Sequence, residues 1–179
     1  IGQQRVIETS GSKPEWTVRT PATKNGIAYF VGVKSNAPTL EGAQIDARYN
    51  AVRQVAEMVG SKVNIDYESA RYEEGIAKDD KDIGSVINDG LIMLSNAMVQ
   101  GVKEIEKYYE KVEEITPQGV TYRYNCWVLV SISEDTLKKL INDVVDKQLE
   151  KARQEKNDKA IKFLERMKNE VNTAKYFQE

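Results

Sequence analysis

The acidic cluster Asp79-Asp80-Lys81-Asp82 is the group of side chains most suggestive of chemistry, and a calcium ion is what it would hold. No combination of Gly and bidentate Glu follows at the positions an EF-hand loop requires, so the cluster reads as a solvated loop. Glu73-Glu74 and Glu113-Glu114 would have to converge to act as a glycosidase pair of acid and nucleophile. Adjacent carboxylates on a strand point to opposite faces, and nothing in the spacing brings the two pairs together. Gly26 and Gly32 belong to neither G-x-G-x-x-G nor G-x-x-x-x-G-K-[ST], which leaves nucleotide binding unsupported. Cys126 sits mid-strand on an apolar face, the usual place of a buried structural thiol. Among these residues we assign no catalytic group, no cofactor site and no metal site.

Composition narrows the field further. Histidine is absent, which excludes a Ser-His-Asp triad and a zinc site with His ligands. A single cysteine allows neither an internal disulfide nor a multi-thiolate metal site. A net charge of −2 with both signs spread along the chain offers no basic stripe, so no nucleic acid is expected as partner. No apolar run approaches the roughly 20 residues of a spanning helix. The chain opens at Ile1 without an apolar leader pattern, so we expect a processed or truncated protein, any export signal lying upstream.

The elements that would position these residues follow from periodicity. Residues 1–26 are rich in Ser, Thr, Gly, Gln and Pro and read as an extended arm, with Trp16 pinning it to the domain. Ile27–Val33 reads as a strand, and Ser35 or Thr39 can cap the helix that follows, from about Leu40 to Val59 with a stop at Gly60. Ala43, Ala47 and Ala51 give that helix a small face suited to close packing on a sheet. Val63, Ile65 and Tyr67 alternate with polar residues, which predicts a strand from Lys62 to about Glu74. Ile83, Val86, Ile87, Leu91, Leu94 and Met98 predict a second amphipathic helix.

Val102–Glu114 fits a helix by spacing, yet the alternation from Val120 to Ser133 demands a neighbour. We therefore expect a hairpin through Thr116-Pro117-Gln118-Gly119. Ser133-Glu134-Asp135 opens a last helix. If Asn157-Asp158 does not break it, that helix runs about 39 residues and ~58 Å. Its distal half must then find a partner helix, pack back as a hairpin, or stand in solvent on its mixed charges. The expected fold is α+β: an antiparallel sheet with helices packed on one face, plus a long C-terminal helix.

Lys13-Pro14-Glu15-Trp16, Tyr29-Phe30-Val31-Gly32-Val33, the Ala43/Ala47/Ala51 helix and Trp127-Val128-Leu129-Val130-Ser131-Ile132 together resemble the LPP20 family of bacterial lipoproteins. The resemblance covers roughly residues 13–150. It implies an SHS2-like domain, a place in the cell envelope on the periplasmic side or at the outer-membrane surface, and a lipid anchor on a cysteine upstream of this chain. Several members of that family are flagellar outer-membrane or basal-disk proteins that assemble into rings.

The expected organisation is thus an arm over 1–26, an LPP20-like domain over 27–150 and a helical extension over 151–179. The expected function is a non-enzymatic structural component that self-associates or docks other envelope proteins, touching the membrane only through the anchor. Trp127 and Leu129 on the sheet, with Leu149, Leu164, Met167 and Val171 along the last helix, are the expected interaction surface. The alternative is a ligand- or peptide-binding periplasmic module that uses Trp127, Tyr108, Tyr109 and Tyr122 as an aromatic cleft.

Overall fold

A computed structural model describes residues 2–179 and has an α+β fold, with a four-stranded antiparallel sheet and four α-helices. The elements run β1 (Gln3–Thr9), a 3-10 turn (Glu15–Thr17), β2 (Ile27–Ala37), α1 (Leu40–Glu73), α2 (Lys81–Gly101), β3 (Lys103–Thr116), β4 (Gly119–Ser133), α3 (Glu134–Gln154) and α4 (Asp158–Thr173). They form two compact units. Unit 1 takes in the chain up to Val55 together with Val102–Ser131, and unit 2 takes Ala56–Gly101 with Ile132–Glu179. These units cut across the expected boundaries at 26 and 150.

Unit 1 is the sheet, in the order β1-β3-β4-β2, with the first part of α1 laid on it. Thr39 caps that helix by accepting from the Gly42 N–H at 3.1 Å. Ala43, Ala47 and Ala51 are fully buried, and a Cβ at Gly32 would overlap the Ala47 carbonyl oxygen. Helix and strand therefore meet backbone to backbone, as the small residues on both sides predict. Cys126, Val128 and Val130 line the same face of the sheet and are fully buried. Burial pushes the Cys126 thiol up to about 11, which makes it an inert packing group.

The arm is more ordered than its composition suggests. β1 pairs antiparallel with β3, from Gln3 opposite Ile115 to Thr9 opposite Glu110, with a bulge at Ile7. All seven of its residues are exposed, so no burial pattern announces it, and its partner lies a hundred residues away. Trp16 does pin the arm. It is buried with Tyr108 and Leu129, beside Tyr29, Val31 and Trp127, and its indole N–H donates to Glu106.

The other edge of the sheet is β2, and two α1 side chains attend it. The Asn36 N–H donates to Asn125 of β4, so the carbonyl before it points away from β4, and those of Val33 and Val31 follow at the two-residue period. Asn50 donates to the Val33 carbonyl at 2.9 Å and Gln54 to that of Val31 at 3.0 Å. Side-chain amides thus occupy the acceptors that a further strand would use.

Unit 2 is helical, and it corrects two expectations. The strand expected from Lys62 is the continuation of α1. Val63, Tyr67 and Ala70 are buried at helical spacing after Val55 and Val59, whereas Ile65, needed for a strand face, is exposed. Gly60 does not stop the helix, since it stays out of the left-handed conformation that a glycine stop uses. The stop comes at Gly75, with φ of 67°, where the Ile76 and Gly75 N–H groups reach back to Arg71 and Tyr72.

The single long C-terminal helix is two helices. Lys156 adopts φ of 53°, its N–H bonds to the Arg153 carbonyl and that of Asn157 to the Ala152 carbonyl. This is a Schellman stop with lysine in the position that glycine usually takes. Asn157 then caps α4 by accepting from the Ala160 N–H. The ion pairs Lys168–Asp146 and Arg153–Glu165 show α4 running antiparallel to α3. Beyond α4 the tail is held by Glu134, which accepts from the backbone N–H groups of Tyr176 and Phe177 at 2.8 and 3.0 Å.

Candidate functional site

A groove of about 380 Å³ opens on unit 2 among α2, α3 and α4. From α2 come Asp82, Ser85, Val86, Asp89, Ile92 and Met93, one helical face repeating at three and four residues. Lys147, Gln148, Lys151 and Ala152 come from one face of α3 and Glu155 from its C-cap, and Ala160 and Leu164 come from α4, with Asn157 between those helices. The lining exposes more apolar than polar surface, and its size falls in the range of ordinary ligand sites.

The floor is held by a buried polar network. Tyr67 of α1 donates its hydroxyl to Gln148 Oε1 at 2.7 Å, and Gln148 Nε2 donates to the Val86 carbonyl at 2.6 Å. Burial raises the Tyr67 phenol well above its ordinary value, so it stays a donor at any physiological pH. Gly90 makes the approach feasible, since a Cβ there would strike the Tyr67 hydroxyl and come within 2.9 Å of Gln148 Oε1. Gln148 is thereby fixed in one orientation, tying α1, α3 and α2 together at the base of the groove.

Charged side chains rim the groove. Asp82 and Asp89 stand on the α2 wall, seven residues apart, and Lys147 and Lys151 stand on the α3 wall, four apart. Asp82 accepts from Asn157 at 3.1 Å, whereas the side chains of Asp89, Lys147 and Lys151 have no partner among the described residues. Glu155 adds a third carboxylate beyond the lysines, so the rim carries both signs of charge. Ser85 supplies the one hydroxyl among the lining residues.

The residues expected to form an interaction surface lie elsewhere. Leu149, Met167 and Val171 are buried in the core of unit 2, and so is Leu164, which contributes only to the groove floor. Because the last helix folds back on itself, its apolar stripe is spent on internal packing. Leu129 is buried under Trp16, and Trp127 is half-buried against Tyr108, with Lys13 over its ring at 4.7 Å.

The three tyrosines do not line one cleft. Tyr108 is buried with Trp16, while Tyr109 points to the other face and donates to Glu8 at 2.6 Å, and Tyr122 lies exposed under Lys111. The acidic residues are engaged in ion pairs and caps. Arg166 meets Glu73 and Glu74, Arg5 meets Glu113, and Asp80 both caps α2 and pairs with Lys159 at 2.7 Å. Among the described residues no three His, Cys, Asp or Glu side chains gather as metal ligands, and no helix is long and apolar enough to cross a membrane.

The groove escaped the sequence reading, although two signals pointed to it. Gly90 stands on the buried stripe of α2 where a large apolar residue is due, and Gln148 interrupts the stripe between Val145 and Leu149. Comparison with known proteins returns no matching family model, no matching curated protein and no matching solved structure.

Proposed function

We propose that the chain is a non-enzymatic domain of the bacterial cell envelope, of the kind the LPP20 family represents, that works by holding a partner in the groove of unit 2. The observation that carries this reading is a groove whose floor Tyr67 and Gln148 hold fixed, with Asp89, Lys147 and Lys151 unpaired at its rim among the described residues. Leaving Asp89, Lys147 and Lys151 unpaired around an apolar depression makes sense when a partner supplies the missing charges. The envelope setting rests on the resemblance alone.

A groove-filling variant tests the reading. Ser85 is exposed on the groove wall, so Ser85→Trp plugs the opening without disturbing the core. A library of amphiphiles and peptides is screened by thermal shift against both proteins. Compounds that raise the melting temperature of the parent and not of the variant support the function. Equal shifts in the two proteins count against it.

Self-association is the second reading, and its surface is the far end of the β3–β4 hairpin. Ile115, Val120 and Tyr122 share one face of the sheet there and are all about half exposed. Val120→Lys lowers the assembly state in light scattering if that surface joins copies.

A further inference from the structure

We infer that the seat of Tyr176 and Phe177 is an exchange interface, in which the tail after α4 leaves its own unit 2 and enters that of a second copy of this chain. The inference goes beyond the groove and does not depend on it. The tail is held as a bound peptide is held. Glu134, in the first turn of α3, accepts from the backbone N–H groups of Tyr176 and Phe177 with its two oxygens, at 2.8 and 3.0 Å. From α1, Asp66 accepts from the Tyr176 hydroxyl at 2.7 Å, and the Lys62 ammonium donates to the Tyr176 carbonyl. The Tyr176 and Phe177 side chains are almost wholly buried. Burial, with the carboxylates of Asp66 and Glu134 beside it, raises the Tyr176 phenol well above its ordinary value, so it donates at any physiological pH.

These bonds run to α1 and α3, and none of them to α4, the helix from which the tail springs. α4 closes on itself at Ala174, whose N–H bonds to the Glu170 and Val171 carbonyls and whose own backbone is extended. Lys175 alone then separates the helix end from the seated Tyr176. The same bonds and the same two buried rings therefore form whichever copy supplies the tail. That is the condition under which identical elements are exchanged between protomers at low cost. The occupant is selected by identity, since every copy carries one seat and one segment that fits it. Release bares two aromatic rings to water, so the open state is a minor one and exchange grows with concentration.

The test uses the full chain, incubated over a range of concentrations and read by native mass spectrometry. The parent shows a species of twice the monomer mass whose share rises with concentration. An excess of the synthetic peptide of residues 173–179 fills the seats and removes most of this dimer. The same peptide carrying Tyr176→Ser/Phe177→Ser leaves it unchanged. Two full-length variants then divide the interface. Glu134→Ala keeps the tail and weakens the seat, while Tyr176→Ser/Phe177→Ser keeps the seat and spoils the tail. Each alone gives less dimer than the parent, and their mixture favours the heterodimer, which its mass identifies.

A parent that stays monomeric at every concentration overturns the inference, and so does a dimer indifferent to the peptide. The peptide arm needs only the parent chain, so it decides even where a variant fails to fold. Val120→Lys separates this interface from the hairpin surface. A dimer that survives Val120→Lys and yields to the peptide supports tail exchange, whereas one lost in Val120→Lys and untouched by the peptide belongs to the hairpin and overturns it.

Discussion

Gly32 in unit 1 and Gly90 in unit 2 both occupy positions where a Cβ would collide, but with different neighbours. At Gly32 the obstacles are the Ala47 carbonyl oxygen and, at 2.6 Å, the Ala51 backbone nitrogen. At Gly90 they are the Tyr67 hydroxyl and, at 2.9 Å, Gln148 Oε1. The first glycine sets the separation of a helix from a sheet, and the second admits a polar side-chain network between helices. A seam between backbones can yield only by moving whole elements. A seam made by side chains can yield by removing one atom.

Substitutions should break the two seams unequally. Gly32→Ala drives a methyl group into backbone that no rotamer can clear, and costs roughly 3 kcal/mol or more. Both tryptophans, Trp16 and Trp127, lie in unit 1, so urea denaturation followed by tryptophan fluorescence reads this loss directly. Gly90→Ala costs about 2 kcal/mol, because the better helix propensity of alanine offsets part of the clash. Tyr67→Phe alone costs about 1 kcal/mol by leaving Gln148 Oε1 buried without its donor.

The double variant Gly90→Ala/Tyr67→Phe sharpens the contrast, since it deletes the nearest atom that the new methyl would strike and leaves the Tyr67 ring carbon at 2.8 Å and Gln148 Oε1 at 2.9 Å. It should be more stable than the sum of the single losses, read from the far-UV circular dichroism transition. Additive losses would show that the Tyr67 ring carbon and Gln148 Oε1, not the hydroxyl, carry the clash.

The smallest effect concerns Asp66 in unit 2. Burial raises its carboxyl above the ordinary range, although the hydrogen bond from the Tyr176 hydroxyl opposes the shift. Ionising Asp66 therefore costs stability above its folded pKa, and the cost vanishes below the unfolded carboxylate value. Asp66→Asn keeps an acceptor for Tyr176 and carries no charge. Its urea midpoint should exceed the parent's slightly at pH 7, and the advantage should fade as pH falls through the folded pKa of Asp66.

What the sequence disclosed and withheld follows the range of the forces involved. The Gly32 seam was legible because Ala43, Ala47 and Ala51 announce it within one helix. The β3–β4 hairpin and the Ser133 cap were legible for the same reason, and Ser133 does accept from the Thr136 N–H. β1 was not, because it is exposed and pairs with a distant strand. The strand expected from Lys62 failed on coincidence, since Val63 and Tyr67 satisfy both a two-residue period and a helical one. The stop at Lys156 was hidden because a residue other than glycine adopted the left-handed conformation. The groove depends on that stop, as α4 reaches the groove only by turning back.

The two amides on the β2 edge have a consequence for how the protein ages in concentrated solution. Asn50 and Gln54 act as a cover over acceptors that a stray strand would seek. Substituting both with leucine would leave the native contacts of Gly32 intact and remove the cover. Such a protein would keep its fold when dilute yet seed fibrils on storage, so colloidal shelf life here hangs on two nitrogen atoms.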